Sequence, residues 1–227
     1  MLAVLAFTCD YDWVRAEREL LIALDLNPSS ADTYDYYGWL CAALERHDEA
    51  VAMVRRAQEL DPLAHRTDLA STLLRAGRLV EALEAATHAV EIDSEYSRGR
   101  SVLGWAYLKT GRQAEGLAEL EKAVELSPDH TMFIGQLGEA YGIAGHPEKA
   151  RGVLRQLQEL KERRYVSPYH MAYVYTGLNE QETAIDLLEQ AYAERASGIY
   201  GVRGSFLFES LRAHPRFRTL LGKMNLA

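Results

Sequence analysis

The apolar positions of this chain recur with a period close to 34 residues. Within each unit they fall four and seven residues apart, which places them on one stripe of an α-helix. Each stripe begins with a small residue, and this residue is in turn Ala16, Ala50, Ala82, Gly116, Ala150 and Ala184. Successive members are 34, 32, 34, 34 and 34 residues apart. A register held through six copies predicts a repeat architecture.

A second helical pattern precedes the first in most units. It is marked by another small residue, at Gly38, Ala70, Gly104, Gly138 and Ala172. A small residue on one helix face lets a second helix approach closely, so each unit is predicted to be an antiparallel hairpin. The turn between the halves needs left-handed backbone, which glycine adopts readily, and carries Gly77, Gly111 and Gly145 in three units. Glu45 and Asn179 take that place in two others, with asparagine the easier substitute. Prolines 28, 62 and 128 then end the second helix.

We therefore predict an all-α fold, a right-handed α-solenoid of antiparallel helical hairpins with a C-terminal capping helix. Residues 1–227 form one superhelical domain in this interpretation. Its units are a partial repeat at 1–30, repeats at 31–62, 63–96, 97–130, 131–164 and 165–198, and a C-terminal cap at 199–227. The helix pairs are predicted at 31–45/47–60, 65–76/79–92, 97–110/113–126, 131–144/147–162 and 165–177/180–194.

Two segments carry a resemblance to a known family. YYGWLCAALERHDEAVAMVRRAQELDP, ending at Pro62, and LGWAYLKTGRQAEGLAELEKAVELSP, ending at Pro128, resemble tetratricopeptide repeats. The resemblance extends over about residues 1–198. DYDWVRAERELLIALDLNP and SFLFESLRAHPRFRTLLGKMNL, near the two ends, are similar to the repeat arrays of bacterial signalling proteins. Such arrays accompany winged-helix regulator, adenylate cyclase or protein kinase domains, and this sequence contains no such domain.

The resemblance implies a non-catalytic protein–protein interaction scaffold that binds a peptide or a partner helix in a concave groove. The alternative is a regulatory or sensor module of a larger bacterial signalling protein, with a small ligand between hairpins. In the family the first helix of each pair lines the groove. The residues predicted to line it here are Asp32, Asp35, Tyr36, Trp39, Asp68, Ser71, Arg98, Trp105, Glu139 and Tyr173.

The chemistry of these groove residues leaves two questions open. Exposed Trp39 and Trp105 would suit a binding surface, but they could equally fill gaps between hairpins, and Tyr169 is expected to pack. Acidic residues alternate with the aromatic ones, and the chain carries a net charge of −8. A basic or mixed apolar-basic peptide is the predicted partner. The family's clamp for a C-terminal carboxylate is effectively absent, since only Arg98 matches it.

Composition excludes other classes of function. The negative charge opposes non-specific nucleic-acid binding, and no apolar run approaches the ~20 residues of a membrane span. Two cysteines, both within helical patterns, favour a reducing compartment, so we expect a cytoplasmic protein. None of the seven histidines is spaced from another His or Cys as metal ligands are. We predict no metal, no cofactor and no enzymatic activity, and we interpret GIYGVRG as a flexible turn.

The two ends of the chain lead to separate expectations. The tail from Ser205 to Leu226 is predicted to cover the apolar face of the last hairpin rather than to form a seventh repeat. At the other end, Leu2, Val4, Leu5 and Phe7 crowd both faces of a short helix. An exposed apolar edge of this kind favours a weak homodimer through the N-terminal hairpin, while a frayed terminus on a monomer is the alternative.

Overall fold

The structure is a computed structural model that describes residues 2–227. Its thirteen α-helices within that range are α1 (Leu2–Thr8), α2 (Trp13–Leu26), α3 (Ala31–Ala43), α4 (His47–Leu60), α5 (Asp68–Arg75), α6 (Leu79–Ile92), α7 (Ser97–Lys109), α8 (Gln113–Leu126), α9 (Thr131–Ile143), α10 (Pro147–Lys161), α11 (Pro168–Gly177), α12 (Gln181–Ala193) and α13 (Pro215–Lys223). Two 3₁₀ segments, Ile199–Gly201 and Phe206–Leu211, lie between α12 and α13. The described residues contain no strand. The first residue of the predicted partial repeat lies outside the described range.

The predicted all-α superhelix of hairpins is confirmed. Each helix from α1 to α12 packs against the next, and α9 also packs closely on α11. The apolar stripe faces inward in every unit, as Ala50, Val54 and Ala57 of α4 do with no exposed surface. The turns have the expected left-handed backbone, because Gly77 and Gly111 have φ of +71° and +82°.

In two hairpins the first helix begins three residues later than the sequence pattern indicates. Helix α11 begins at Pro168 instead of 165, because a proline suits the first helical position and disfavours helical backbone in the residue before it. Helix α5 begins at Asp68 instead of 65, after a turn that spans residues 62–67. This turn is held by the Asp61 carboxylate, which accepts a hydrogen bond from the Ala64 backbone N–H at 3.0 Å.

The C-terminal tail enters the concave groove. The backbone at Gly204 lies so close to α3 that a Cβ there would stand 2.2 Å from the Ala42 carbonyl oxygen. The ring of Phe206 meets Trp105 of α7 edge-on at 5.4 Å, and Phe208 lies 5.3 Å from Tyr173 of α11. Residues 197–212 therefore occupy much of the surface that the sequence predicts to be an open peptide groove.

The last helix covers the final hairpin, and the chain then returns to the N-terminal one. Arg216 of α13 forms ion pairs with carboxylates of α12, including Asp186 at 2.6 Å. The Trp13 indole N–H donates to the Met224 carbonyl at 2.8 Å, and Asn225 donates to the Tyr11 carbonyl at 3.2 Å. The tail thus links the two ends of the superhelix.

This linkage buries part of the N-terminal edge. Phe7 has no exposed surface, because it packs on Trp13 and on Tyr200 of the tail. Leu2 and Leu5 remain 63% and 49% exposed. The weak homodimer through this edge stays a prediction, with fewer apolar side chains to support it than the sequence suggests.

Candidate functional site

The tail reduces the groove to a central cavity of about 400 Å³. Its walls come from the first helices α3, α5, α7, α9 and α11 and from tail residues 197–207. Six of the ten predicted groove residues line it, namely Trp39, Asp68, Ser71, Arg98, Trp105 and Tyr173. The other four predicted residues, which are Asp32, Asp35, Tyr36 and Glu139, lie outside the cavity wall.

The aromatic residues of the cavity divide into packed and accessible ones. Trp105 and Tyr173 are each 4% exposed and are covered by the tail phenylalanines. Tyr169 packs against Phe208 at 5.2 Å, in line with its expected packing role. Trp39 is only half-buried and meets Tyr36 edge-on at 5.4 Å. Trp39 is therefore the groove tryptophan that a ligand can reach.

Most of the acidic residues predicted for the groove are buried. Asp35, Asp68 and Glu139 are buried, with exposures of 3%, 5% and 1%. Asp68 accepts a hydrogen bond from Arg98, which neutralises its charge within the chain. Of the four predicted acids, Asp32 keeps an exposed carboxylate. A basic partner stays a prediction with less support than the sequence suggests, because three of the four acids on which it rested are buried.

Three of these acids surround a histidine, His65, that the sequence pattern does not single out. His65 is 6% exposed, and its Nδ1 lies 3.4 Å from Oδ2 of Asp68 and 3.6 Å from Oδ2 of Asp35. Its Nε2 lies 3.4 Å from Oδ1 of Asp32. Burial, together with the neighbouring Asp68 charge, raises the pKa of Asp35 to about 7, against the opposing effect of His65 and Arg98.

The sequence marks this cluster only by an irregular repeat length. The step from Ala50 to Ala82 is 32 residues instead of 34, and His65 lies in that unit. Helix α5 is also the shortest of the first helices from α3 onward, with eight residues against 13 in α3, α7 and α9. An irregularity in an otherwise constant repeat is where a functional departure is expected.

Arg75 supplies the cavity with an uncompensated positive charge. Its guanidinium lines the cavity and donates to the Gly201 carbonyl of the tail at 3.4 Å. Within residues 2–227 no carboxylate lies within 4.0 Å of it. Burial lowers the pKa of His170, which also lines the cavity, to about 4, so that this imidazole is neutral near pH 7. The cavity thus offers a cation and hydrogen-bond donors among aromatic rings.

Glu139 should make the protein less stable as the pH rises. Its carboxyl is buried without a hydrogen-bond partner for Oε2, and burial raises its pKa well above the ordinary value of 4.5. A folded-state pKa above the unfolded one means that the folded chain holds the proton more tightly. The associated stability is complete below the ordinary pKa of 4.5 and is lost as the pH rises from there through the raised folded-state pKa.

The variant Glu139→Gln should therefore flatten this pH dependence and unfold at higher urea concentration than the wild type at pH 8. Urea midpoints measured from pH 4.5 to 8.5 will check this. An exposed-acid variant, Glu159→Gln on α10, serves as the control and should retain the slope of the wild type. Equal slopes in Glu139→Gln and wild type would contradict the prediction.

Within the described residues, no helix combines the length and the apolar character that crossing a bilayer requires.

Comparison with known proteins adds a family and several related folds. A family model described as tetratricopeptide repeat matches residues 12–65 and 67–131, just over half of the chain. No curated protein matches the chain. Among solved structures, TTC0263, a thermophilic TPR protein from Thermus thermophilus, is 24% identical with a TM-score of 0.58, over 79% of this chain and 100% of that one.

Two further structures share the fold. MamA from Desulfovibrio magneticus RS-1, from residue 41 to its end, is 20% identical with a TM-score of 0.53, over 68% of this chain and 89% of that one. PilF of Pseudomonas aeruginosa is 16% identical with a TM-score of 0.53, over 88% of this chain and 95% of that one. At these identities the similarity establishes a common helical-repeat architecture.

Proposed function

The chain belongs to the tetratricopeptide repeat family, and on that premise we propose that it is a non-catalytic interaction module for a protein partner. The partner inserts a short segment into the central cavity instead of lying along the whole groove, since the tail occupies residues that a long peptide would contact. The observation that carries this proposal is the cavity itself, which has an accessible tryptophan and an unpaired arginine on its wall.

The residues that line the cavity indicate which side chains the bound segment carries. Half-buried Trp39 favours an apolar or aromatic side chain, which loses contact with water against the indole. Arg75 favours an anionic group or a strong hydrogen-bond acceptor, because its guanidinium has only a carbonyl partner at 3.4 Å. We therefore propose an aromatic or apolar anchor next to an acidic residue, in place of the basic peptide that the sequence suggested.

Screening a random peptide array with the purified chain tests this proposal. The expected consensus has Asp or Glu beside an aromatic or large aliphatic residue, and its binding weakens as salt is added. Arg75→Gln should lower the affinity of the selected peptide about tenfold, the usual effect of losing one charge-assisted hydrogen bond. Trp39→Ala should have an effect of similar size through lost packing.

The matched control is Arg155→Gln. Arg155 is an exposed arginine on α10 that, like Arg75, has no carboxylate within 4.0 Å among residues 2–227. This variant should bind like the wild type. A consensus rich in Lys and Arg, or equal affinity in Arg75→Gln and wild type, would contradict the proposal.

The second candidate is the sensor module with a small ligand. It is favoured by the volume of about 400 Å³, which falls within the usual range of small-molecule sites. An aromatic carboxylic acid that binds with the affinity of the selected peptide, and competes with it, would favour this candidate over the peptide.

A further inference from the structure

We propose that Asp35, His65 and Asp68 form a binding site for a divalent transition-metal ion. The site goes beyond the proposed interaction function, because it rests on Asp35, His65 and Asp68, whereas the peptide proposal rests on Trp39 and Arg75. Asp68 connects the two, since one carboxylate oxygen faces Arg98 of the cavity wall and the other faces His65.

The spacing of the donor atoms suits a metal better than it suits direct hydrogen bonds. The three residues offer ligand atoms that all lie within 4.8 Å of one another. A tetrahedral zinc ion bound at 2.0–2.1 Å holds its ligand atoms about 3.3 Å apart. The His65 Nδ1 distances of 3.4 and 3.6 Å to the two carboxylates are close to this value. Both exceed the roughly 2.9 Å of a good hydrogen bond.

The buried polar atoms of the cluster are also incompletely satisfied. Oδ1 of Asp35 and Nε2 of His65 have no exposed surface and no hydrogen-bond partner. The 3.4 Å approach of Asp32 to Nε2 is within ion-pair distance but does not make a hydrogen bond. Buried carboxylates without partners are costly, and coordination to a cation is one of the few ways to hold them charged inside a protein.

The kind of donor selects the kind of ion. One imidazole nitrogen with two carboxylates is a set that zinc, manganese and ferrous iron accept, whereas magnesium and calcium prefer oxygen alone. The cluster joins α3 to the turn at residues 62–67 and to the start of α5, across two successive hairpins. A bound ion would fix the irregular turn that brings His65 to this position.

The rival arrangement is a polar network without metal, in which His65 contacts the carboxylates directly. Isothermal titration of the chelator-treated full chain with zinc chloride, and separately with manganese chloride, distinguishes the two. We expect one zinc ion per chain. A zinc concentration one hundred times the dissociation constant should raise the melting temperature by roughly 5–10 °C. Asp35→Asn and His65→Gln should each weaken zinc binding by at least about tenfold.

The control is His88→Gln. His88 forms an exposed pair with Glu91 at the same i,i+3 spacing as His65 and Asp68, with 3.8 Å between Nδ1 and Oε2. His88→Gln should leave zinc binding unchanged. This result would show that zinc binds at the buried cluster and not at exposed histidines. Circular dichroism of each variant verifies that it is folded.

Anomalous scattering at the zinc edge, from wild-type crystals grown with zinc, does not depend on any variant. A peak between Asp35, His65 and Asp68 would support the site. Absence of zinc uptake, equal affinity in Asp35→Asn and wild type, or a peak confined to other residues would each overturn it.

Discussion

Deleting residues 205–227 is expected to leave a chain that does not fold cooperatively. The deleted segment supplies Phe208, Leu211 and Phe217, each at most 1% exposed. Removing one buried phenylalanine side chain costs about 3–5 kcal/mol, whereas a whole domain is stable by only about 5–15 kcal/mol. The deletion also uncovers Tyr173 and Trp105, so the truncated chain should expose apolar surface and aggregate.

A point variant measures the same contact in a chain that still folds. Phe208→Ala should lower the free energy of unfolding by about 3–5 kcal/mol, because the ring has no exposed surface and packs on Tyr169 and Tyr173. Phe206→Ala is the matched control. Its ring is only half-buried against Trp105, so a loss of about half that size is expected.

Urea denaturation followed by tryptophan fluorescence and by circular dichroism gives these values, with both probes tested for coincidence. A truncated chain that stays monomeric and melts at the wild-type temperature would show that the tail contributes nothing to the fold. Equal destabilisation by Phe206→Ala and Phe208→Ala would show that burial in the groove is not what holds the tail.

The sequence predicts the hairpins well because their determinants are local. The apolar stripes at offsets of four and seven, and the left-handed turn residues such as Gly77, depend on neighbours within one unit. The position of the tail depends instead on contacts between distant residues. Lys109 pairs with Glu209 at 3.2 Å, and Arg203 with Glu45 at 3.0 Å, across 100 and 158 residues of sequence. No periodicity encodes such pairs.

The site was predicted less completely than the fold, for a similar reason. A first helix faces the groove, its own partner helix and the next hairpin, so membership of that helix does not decide which face a residue occupies. Trp39 and Arg98 do line the cavity, whereas Glu139 lies in the interior. Arg75 is a candidate because its guanidinium lies beside the tail carbonyl of Gly201, a contact across 126 residues that no local pattern predicts.

A second large effect is expected where α9 and α11 touch through their backbones. A Cβ at Gly142 would lie 2.4 Å from the carbonyl carbon of Gly177, and a Cβ at Gly177 would lie 2.3 Å from the carbonyl oxygen of Glu139. Real Cβ atoms do not approach backbone so closely, so any side chain at these positions must push the helices apart. Gly142→Ala should therefore destabilise the protein by about 2–3 kcal/mol.

The control for this prediction is Gly222→Ala, because a Cβ there meets nothing within 4 Å. Both substitutions replace a helical glycine by alanine, which by itself favours the helix by up to about 1 kcal/mol. Gly222→Ala should be stabilising and Gly142→Ala destabilising, so that their opposite signs in urea denaturation isolate the cost of the helix contact. If both substitutions stabilise the protein, α9 and α11 can move apart without lowering the free energy of unfolding.

The same contact sets the width of the cavity. A Cβ at Gly135 would lie 2.4 Å from the His170 carbonyl oxygen, so the two helices also touch further along α9, where His170 and Tyr173 form one wall. If Gly142→Ala moves α11 away from α9, this wall shifts relative to the other residues that line the cavity, Trp39 and Arg75 among them. Gly142→Ala should then lower the affinity for the selected peptide under conditions in which the variant is still fully folded. Gly222→Ala should leave this affinity unchanged. Unchanged peptide affinity in folded Gly142→Ala would place the binding surface away from α11.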